Sequence, residues 1–207
     1  INELLLDEAK TPEVTVSTEW NVDVLPSNGN LTAAEVQLLE SDERESRLKT
    51  IINEIAHQYD YIFIDCPPSL NMLTVNALVA AQSVIVPIQC EYFALEGLTS
   101  LLESIDSIKN AVNPELKIEG LLRTMYDGRN CLTIEVSEQL LVHFGEKVYH
   151  TVIPRNVRLA EAPSYGEPVI NYDKRSQGAV AYLALAGEIQ RRHSEEQKQV
   201  VESNNNT

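Results

Sequence analysis

The chain has 207 residues and a mass of 23.2 kDa, which is enough for one sizeable α/β domain. Its 43% hydrophobic residues can form a core, and this excludes a protein that is disordered throughout. The formal net charge of −15 argues against a protein that coats nucleic acid through its overall charge. Ten of the sixteen Lys and Arg residues lie at positions 119–207, so this part can still form a local basic surface.

The sequence carries no pattern of a disulfide scaffold, a metal site or a membrane span. The four histidines have no HExxH spacing, and there is no run of about 18 apolar residues. No charged and then apolar leader opens the chain, so we expect a cytoplasmic protein with no membrane partner. The cysteines are too few and too scattered for pairing, and we expect buried, reduced thiols at Cys66, Cys90 and Cys131.

Short β-branched runs alternate with longer helical patterns along the chain. This alternation predicts an α/β fold with a doubly wound, mainly parallel sheet and helices on both of its faces. The predicted strands are 21–26, 61–65, 83–88, 118–125 and 148–153. The predicted helices are 41–59, 70–81, 94–112, 131–144 and 177–191.

The end of the chain differs in composition from the rest. In the closing helix we expect Val180, Leu183, Ala184 and Ala186 to face the core. Residues 194–207 are polar and end in S-N-N-N-T, which predicts a disordered tail. We therefore predict one domain at 1–193 and a tail at 194–207.

Asp65 follows the apolar run 61–64 and is the first candidate for chemistry. Parallel sheets bind ligands beyond the carboxyl ends of their strands, and a carboxylate there can hold magnesium, directly or through water, beside phosphates. The alternative is that Asp65 only caps a turn or a helix. The pattern of an apolar strand followed by Asp is common, and both interpretations stay open at this point.

Longer strings narrow the choice. The sequence reads Y-D-Y-I-F-I-D-C-P-P-S-L at 59–70, V-P-I-Q-C-E-Y-F-A-L-E-G-L at 86–98, T-M-Y-D-G-R at 124–129 and I-P-R-N-V-R-L-A-E-A-P-S at 153–164. In identity, order and separation these strings resemble the ParA/Soj partitioning ATPases, which have a P-loop NTPase-like fold. The resemblance covers residues 20–192.

The resemblance implies roles for six residues. Asp65 would assist the magnesium ion of bound ATP as the Walker-B aspartate. Pro154, Arg155 and Asn156 would lie in the region that holds the adenine. Arg129 and Arg158 match positions that contact DNA without sequence preference in the family, although an isolated loop arginine is more often simply solvated.

One departure from the family pattern concerns the phosphates of ATP. ParA-like ATPases open with a glycine-rich loop of the K-G-G-V-G-K-T type, whose N–H groups and lysines hold these phosphates. No glycine of this sequence is followed by lysine. We therefore expect that the N-terminal βα unit of the fold is missing, and the start at Ile1 favours a fragment over a truncated paralogue.

The resemblance implies an ATPase that dimerises on binding ATP and magnesium, binds DNA nonspecifically on the nucleoid, and is stimulated by a ParB-like partner. Its task would be the segregation of a chromosome or plasmid. The alternative is an interaction module of the same fold that does not hydrolyse ATP. The residues do not distinguish the two cargoes.

Overall fold

The computed structural model describes residues 1–67 and 69–205, with side chains as far as Lys198. Pro68 of the string at 59–70 lies outside the described residues. The chain folds into two compact units, one from Ile1–Val84 and Leu102–Lys117, and the other from Ile85–Leu101 and the residues from Ile118 onward. Among the described residues, no helix has both the length and the apolar character that crossing a bilayer requires.

The elements alternate as the sequence predicts, with several short helices in addition. The strands are β1 (Val16–Ser17), β2 (Asp23–Val24), β3 (Ser83–Gln89), β4 (Lys117–Tyr126) and β5 (Val148–Pro154). The helices are α1 (Asn2–Leu5), α2 (Thr11–Val14), α3 (Leu31–Leu38), α4 (Arg47–Ile55), α5 (Met72–Ala80), α6 (Ala94–Val112), α7 (Cys131–Phe144), α8 (Val157–Glu161), α9 (Val169–Tyr172) and α10 (Gln177–Asn205). Single 3₁₀ turns lie at Ala56–Gln58, Gly145–Lys147 and Ala162–Tyr165.

Helices α1, α4 and α5 form the core of the first unit around Leu5, Leu48 and Ala77. The amide of Asn76, which is only 1% exposed, accepts a hydrogen bond from the N–H of Leu48 and donates one to the carbonyl of Arg44. A buried amide that finds both kinds of partner fixes α5 against the start of α4, because leaving either group unpaired would be costly.

The predicted strand at 61–65 is wrong. Residues 61–67 have no regular structure, and Phe63 is 76% exposed, whereas Ile64 packs on the core of the first unit. An apolar run becomes a strand only when a neighbouring strand pairs with its N–H and C=O groups. The strand predicted at 21–26 does not join the parallel sheet. Instead, Asp23–Val24 pairs antiparallel with Val16–Ser17 in a separate two-stranded sheet.

The three-stranded sheet has the order β3-β4-β5, and β4 and β5 are parallel. This confirms the α/β class with a parallel sheet and three of the five predicted strands. Leu121 pairs with Val148 and Arg123 pairs with Val152, so β5 advances four residues while β4 advances two. The extra residues of β5 form a bulge.

Two buried charged side chains hold the bulge of β5. The guanidinium group of Arg123 donates to the carbonyls of Tyr149 and His150 at 2.9 and 3.1 Å and to Ser137 Oγ at 2.8 Å. The carboxylate of Glu188 accepts from the N–H groups of His150 and Thr151 at 2.8 and 2.9 Å. The two side chains therefore give hydrogen-bond partners to backbone groups of the edge strand β5 at the bulge.

Helix α10 packs on the sheet with a different face from the predicted one. Val180 and Leu183 are each 55% exposed, whereas Ala179 and Leu185 are buried. The inward face also carries Glu188, because the β5 bulge supplies N–H partners for a buried carboxylate. The spacing of apolar residues could not identify the buried face of α10, because this face includes the charged residue Glu188.

The segment predicted as a disordered tail is helical over most of its described length. Helix α10 continues past residue 193 to Asn205, because the Glu, Gln and Lys residues there favour a helix. Residues 206 and 207 lie outside the described part, and the domain boundary at 193 stays a prediction. The expected burial of the thiols holds for Cys90 and is wrong for Cys66 and Cys131, which are exposed.

We expect residues 1–207 to bind a hydrophobic dye and to aggregate when expressed alone, because the apolar segment 61–63 is exposed. Phe63→Ser should lower dye fluorescence and light scattering without lowering the melting temperature. Val142→Ser is the matched control, since Val142 is 81% exposed on α7. A sharp melt of a soluble monomer that binds no dye would contradict this prediction.

The Glu188 carboxylate makes the stability of the protein depend on pH. Burial alone would raise the pKa of Glu188, but hydrogen bonds from Thr151, His150 and Arg192 outweigh burial and lower the pKa to about 2. The lowered pKa means that the ionised carboxylate stabilises the fold at pH values above the ordinary carboxyl pKa of about 4.3. This stabilisation disappears as the pH falls towards 2.

Glu188→Gln should lower the free energy of unfolding by about 2–3 kcal/mol at neutral pH. The difference from the wild type should shrink as the pH falls from about 4.5 to about 2, as urea titrations at several pH values would measure. Glu195→Gln, an exposed position on the same helix, is the control. A constant difference at every pH would show that the charge of Glu188 is not the cause.

Candidate functional site

Asp65 lies at the end of the exposed segment of the first unit. Its side chain is exposed, and Cys66 follows it with Sγ 3.7 Å from the carbonyl oxygen of Ile64. Although the Cys66 side chain is exposed, partial desolvation by nearby atoms raises the pKa of its thiol, and the negative charge of Asp65 raises it further. An accessible carboxylate of this kind suits a water-mediated contact with magnesium, because it can accept hydrogen bonds from the waters of the ion.

The residues after Asp65 show what caps the next helix. The side chain of Asn71 accepts from the N–H of Thr74 at 3.0 Å, and Glu35 accepts from the N–H of Met72 at 3.1 Å. These two side chains satisfy N–H groups in the first turn of α5. Asn71 is thus the N-cap of α5, so the interpretation of Asp65 as the cap of this helix is wrong.

The loops after β4 and β5 meet within the second unit. Met125, the penultimate residue of β4, has φ of 51°, in the left-handed region that residues other than glycine rarely adopt. The N–H of Arg155 then donates to the carbonyl of Tyr126 at 3.1 Å. Both loops therefore leave the carboxyl edge of the sheet side by side, which is where parallel sheets bind ligands.

Arg129 lies in the loop between β4 and α7 and is paired with Asp127. Its Nε and Nη2 donate to the two carboxylate oxygens of Asp127 at 3.0 and 2.9 Å, although the side chain of Arg129 is 91% exposed. Asp127 also accepts from the N–H of Arg129 at 3.1 Å. The hydrogen bonds from Arg129 lower the pKa of Asp127 to about 2, with a further contribution from the charge of Arg155.

Arg158 lies on α8 and contacts two carboxylates. Its Nη1 is 2.8 Å from Glu161 Oε2, and its Nε is 3.3 Å from Asp173 Oδ2. The hydrogen bond to Glu161 raises the pKa of Arg158 above its ordinary value. The side chain is half exposed, so it remains accessible to a ligand.

The predicted adenine residues form the link from β5 to α8. Pro154 ends β5, and Asn156 is the N-cap of α8, with its side chain accepting from the N–H of Arg158 at 3.0 Å. Arg155 is exposed and uses its backbone N–H to join the β4 loop. Within residues 1–67 and 69–205, no group of His, Cys, Asp and Glu side chains forms a metal site by itself.

The sequence motifs did not identify the charged side chains that position the loops after β4 and β5. Arg123 is the one charged residue in the stretch 120–126 of β4, and Asp127 stands two residues before Arg129, so both signals were visible in the sequence. The roles of Glu188 and Asp173 depend on contacts with residues far away in the chain, and no sequence spacing reveals them.

Comparisons with known proteins show the family to which the chain belongs. A family model described as an AAA domain matches residues 1–118. The sporulation initiation inhibitor protein Soj of Bacillus subtilis (strain 168) is 49% identical over 190 residues, which cover 91% of this chain and 75% of that protein. The chromosome partitioning protein ParA of Myxococcus xanthus is 48% identical over 193 residues, which cover 93% and 68% of the two chains.

A solved structure supports the α/β fold. Cobyrinic acid a,c-diamide synthase from Mycobacterium smegmatis, with bound ATP analogue and magnesium, superposes with a TM-score of 0.70 at 33% identity. The match covers 80% of this chain and 73% of that one. With this fold and with Soj and ParA relatives matched over nearly its whole length, the chain belongs to the ParA/Soj family of chromosome-partitioning ATPases.

Proposed function

We propose that the protein is a partitioning ATPase that binds DNA nonspecifically through the loops after β4 and β5. The observation that carries this proposal is the hydrogen bond from the Arg155 N–H to the Tyr126 carbonyl, which joins the end of β4 to the residue after β5. Arg129 follows Tyr126 by three residues and Arg158 follows Arg155 by three, so both arginines leave the same edge of the sheet. Guanidinium groups bind phosphate oxygens well, and contacts with the phosphate backbone carry no sequence information.

The overall charge of −15 makes a small set of arginines necessary for DNA binding. Bulk attraction cannot hold a chain of this charge on DNA, so placed cations must supply the affinity. A dimer presents Arg129 and Arg158 twice, and the second pair then binds at a high effective concentration. Dimerisation driven by ATP would thereby switch DNA binding on.

The nucleotide is ATP with magnesium in this proposal. The M. smegmatis structure with its ATP analogue and magnesium supports it. Asp65 would accept hydrogen bonds from magnesium-bound water, while Pro154 and Asn156 would border the adenine. The magnesium ion supplies charge neutralisation for the phosphates during phosphoryl transfer.

The family supports the partner and the location that we propose. The Soj and ParA relatives support a role in segregation of a chromosome or plasmid, with hydrolysis stimulated by a ParB-like protein. Such a protein would act in the cytoplasm, on the nucleoid. Release of DNA after hydrolysis would then move the bound cargo.

Removing a DNA-contacting arginine should weaken binding equally on all sequences. In the full gene product that carries these residues, Arg158→Ala should abolish ATP-dependent DNA binding, and Arg129→Ala should weaken it less. Each lost phosphate contact should flatten the salt dependence by about one unit of slope. Gel-shift titrations on two unrelated duplexes at several salt concentrations, together with nucleotide binding, would measure both effects.

Arg191→Ala is the matched control, because Arg191 is an exposed arginine on α10 in the same unit. It should leave DNA binding close to that of the wild type. Unchanged affinity of the Arg129 and Arg158 variants, or loss on one duplex only, would place the DNA site elsewhere.

Residues 1–207 alone should not hydrolyse ATP above background in the presence of magnesium. No glycine of this sequence precedes a lysine, so these residues do not supply the oriented donors of a glycine-rich phosphate loop. Loss of even one preorganised donor costs about 10²–10³ in rate. Turnover by these residues comparable to that of an intact relative, and abolished by Asp65→Ala, would refute this prediction.

A further inference from the structure

Both candidate DNA-binding arginines are already occupied by carboxylates of their own unit. Asp127 takes the Nε–Nη2 edge of Arg129 with both of its oxygens. Glu161 and Asp173 take Nη1 and Nε of Arg158. The loops that the proposed function places on DNA therefore present arginines whose charge is locally balanced.

A carboxylate and a phosphate compete for the same groups of an arginine. Both anions bind the guanidinium fork through two parallel N–H···O bonds, so one edge cannot hold both at full strength. The charge of Arg155 also acts on Asp127, which helps to keep that carboxylate ionised. Asp127 is therefore a charged competitor at neutral pH.

We propose that Asp127, and the pair of Glu161 and Asp173, act as internal competitors of the DNA phosphates for Arg129 and Arg158. This inference rests on the proposed function. DNA binding is then an exchange of partners, in which each arginine leaves its carboxylate for a phosphate. The carboxylates weaken the contact of one protomer and make binding depend on the combined contacts of a dimer.

The size of the effect follows from the exposure of the pairs. Arg129 is 91% exposed and Arg158 is 50% exposed, so water and salt already screen both pairs. Exposed ion pairs of this kind alter an equilibrium by up to about fivefold each. In a dimer that engages both copies of an arginine, removing its competitor should raise DNA affinity by up to about 25-fold.

Asp127→Asn tests the proposal with little change in backbone structure. The asparagine side-chain oxygen can still accept from the N–H of Arg129, so the turn is kept while the charge is lost. The test uses the full gene product with ATP and magnesium, and fluorescence anisotropy with two unrelated labelled duplexes. We expect tighter binding on both duplexes, by up to about 25-fold, with no flattening of the salt dependence.

Asp173→Asn should act in the same way through Arg158. Glu138→Gln, an exposed carboxylate on α7, controls for the change in overall charge and should have a smaller effect. The double variant Asp127→Asn/Arg129→Ala should bind no more tightly than Arg129→Ala, because the carboxylate acts only through that arginine.

The outcomes separate this proposal from the proposed function. If Arg129→Ala and Arg158→Ala weaken binding while the Asp variants match the wild type, the arginines bind DNA and the competition is refuted. If the Asp variants bind more weakly than the wild type, the carboxylates position the arginines for DNA, and the competition is again refuted. If the arginine variants bind like the wild type, or no form binds DNA, the proposed function and this proposal both fail.

Discussion

The bulge of β5 is the constraint on which the carboxyl edge of the sheet depends. Arg123 holds the carbonyls of this bulge and Glu188 holds its N–H groups, so an interruption of the strand ladder is satisfied from both sides. A buried charge without such partners would destabilise the fold. A second shift follows the bulge, because β4 advances three residues from Arg123 to Tyr126 while β5 advances two from Val152 to Pro154. The two shifts together set where β5 ends relative to β4.

The positions of the loops after β4 and β5 depend on this arrangement. The link between Arg155 and Tyr126 can form because β4 and β5 end together. Each loop then passes into a helix through an asparagine cap, Asn130 for α7 and Asn156 for α8. Rigid caps on both sides keep the arginines near the edge of the sheet, whereas their long side chains remain free to change partners.

The net negative charge of the protein limits how the same loops could bind DNA. A chain with a net charge of −15 is repelled by DNA at long range, so nonspecific binding must come from a few short-range contacts. In the competition that we propose, the carboxylates that hold the arginines would lower the affinity of a single protomer further. Binding that is weak in one protomer and strong in a dimer is the property that a nucleotide-driven switch requires.

Much of the fold could be predicted from the sequence because its signals are local. The apolar runs of β3, β4 and β5 and the periodicity of α6 and α7 identified these elements nearly to the residue. The segment 61–65 was misjudged because strand formation depends on a pairing partner, which composition does not report. The inward face of α10 was misjudged because Glu188 lies on it, and the reason for its burial lies in β5.

The sequence predicted the motif residues of the candidate site but not all of their ion-pair partners. Asp65, Arg129 and Arg158 stand out through their motifs, and the structure places the two arginines on adjoining loops. Two of their acidic partners are local, since Asp127 and Glu161 lie within three positions of the arginines that they contact. Asp173 was not recognisable, because it contacts Arg158 from fifteen positions later in the chain. Ion pairs between distant residues leave no periodicity in a sequence.

The central claim is that nucleotide controls a sequence-independent contact between these loops and DNA. Its most direct test is the affinity of the full gene product for two unrelated duplexes, measured with ATP and with ADP over salt concentrations from about 50 to about 300 mM. We expect equal affinities for the two duplexes, and tight binding with ATP but not with ADP. The logarithm of the affinity should decrease linearly with the logarithm of the salt concentration. Equal affinity with ATP and ADP, or a preference for one duplex, would contradict the central claim.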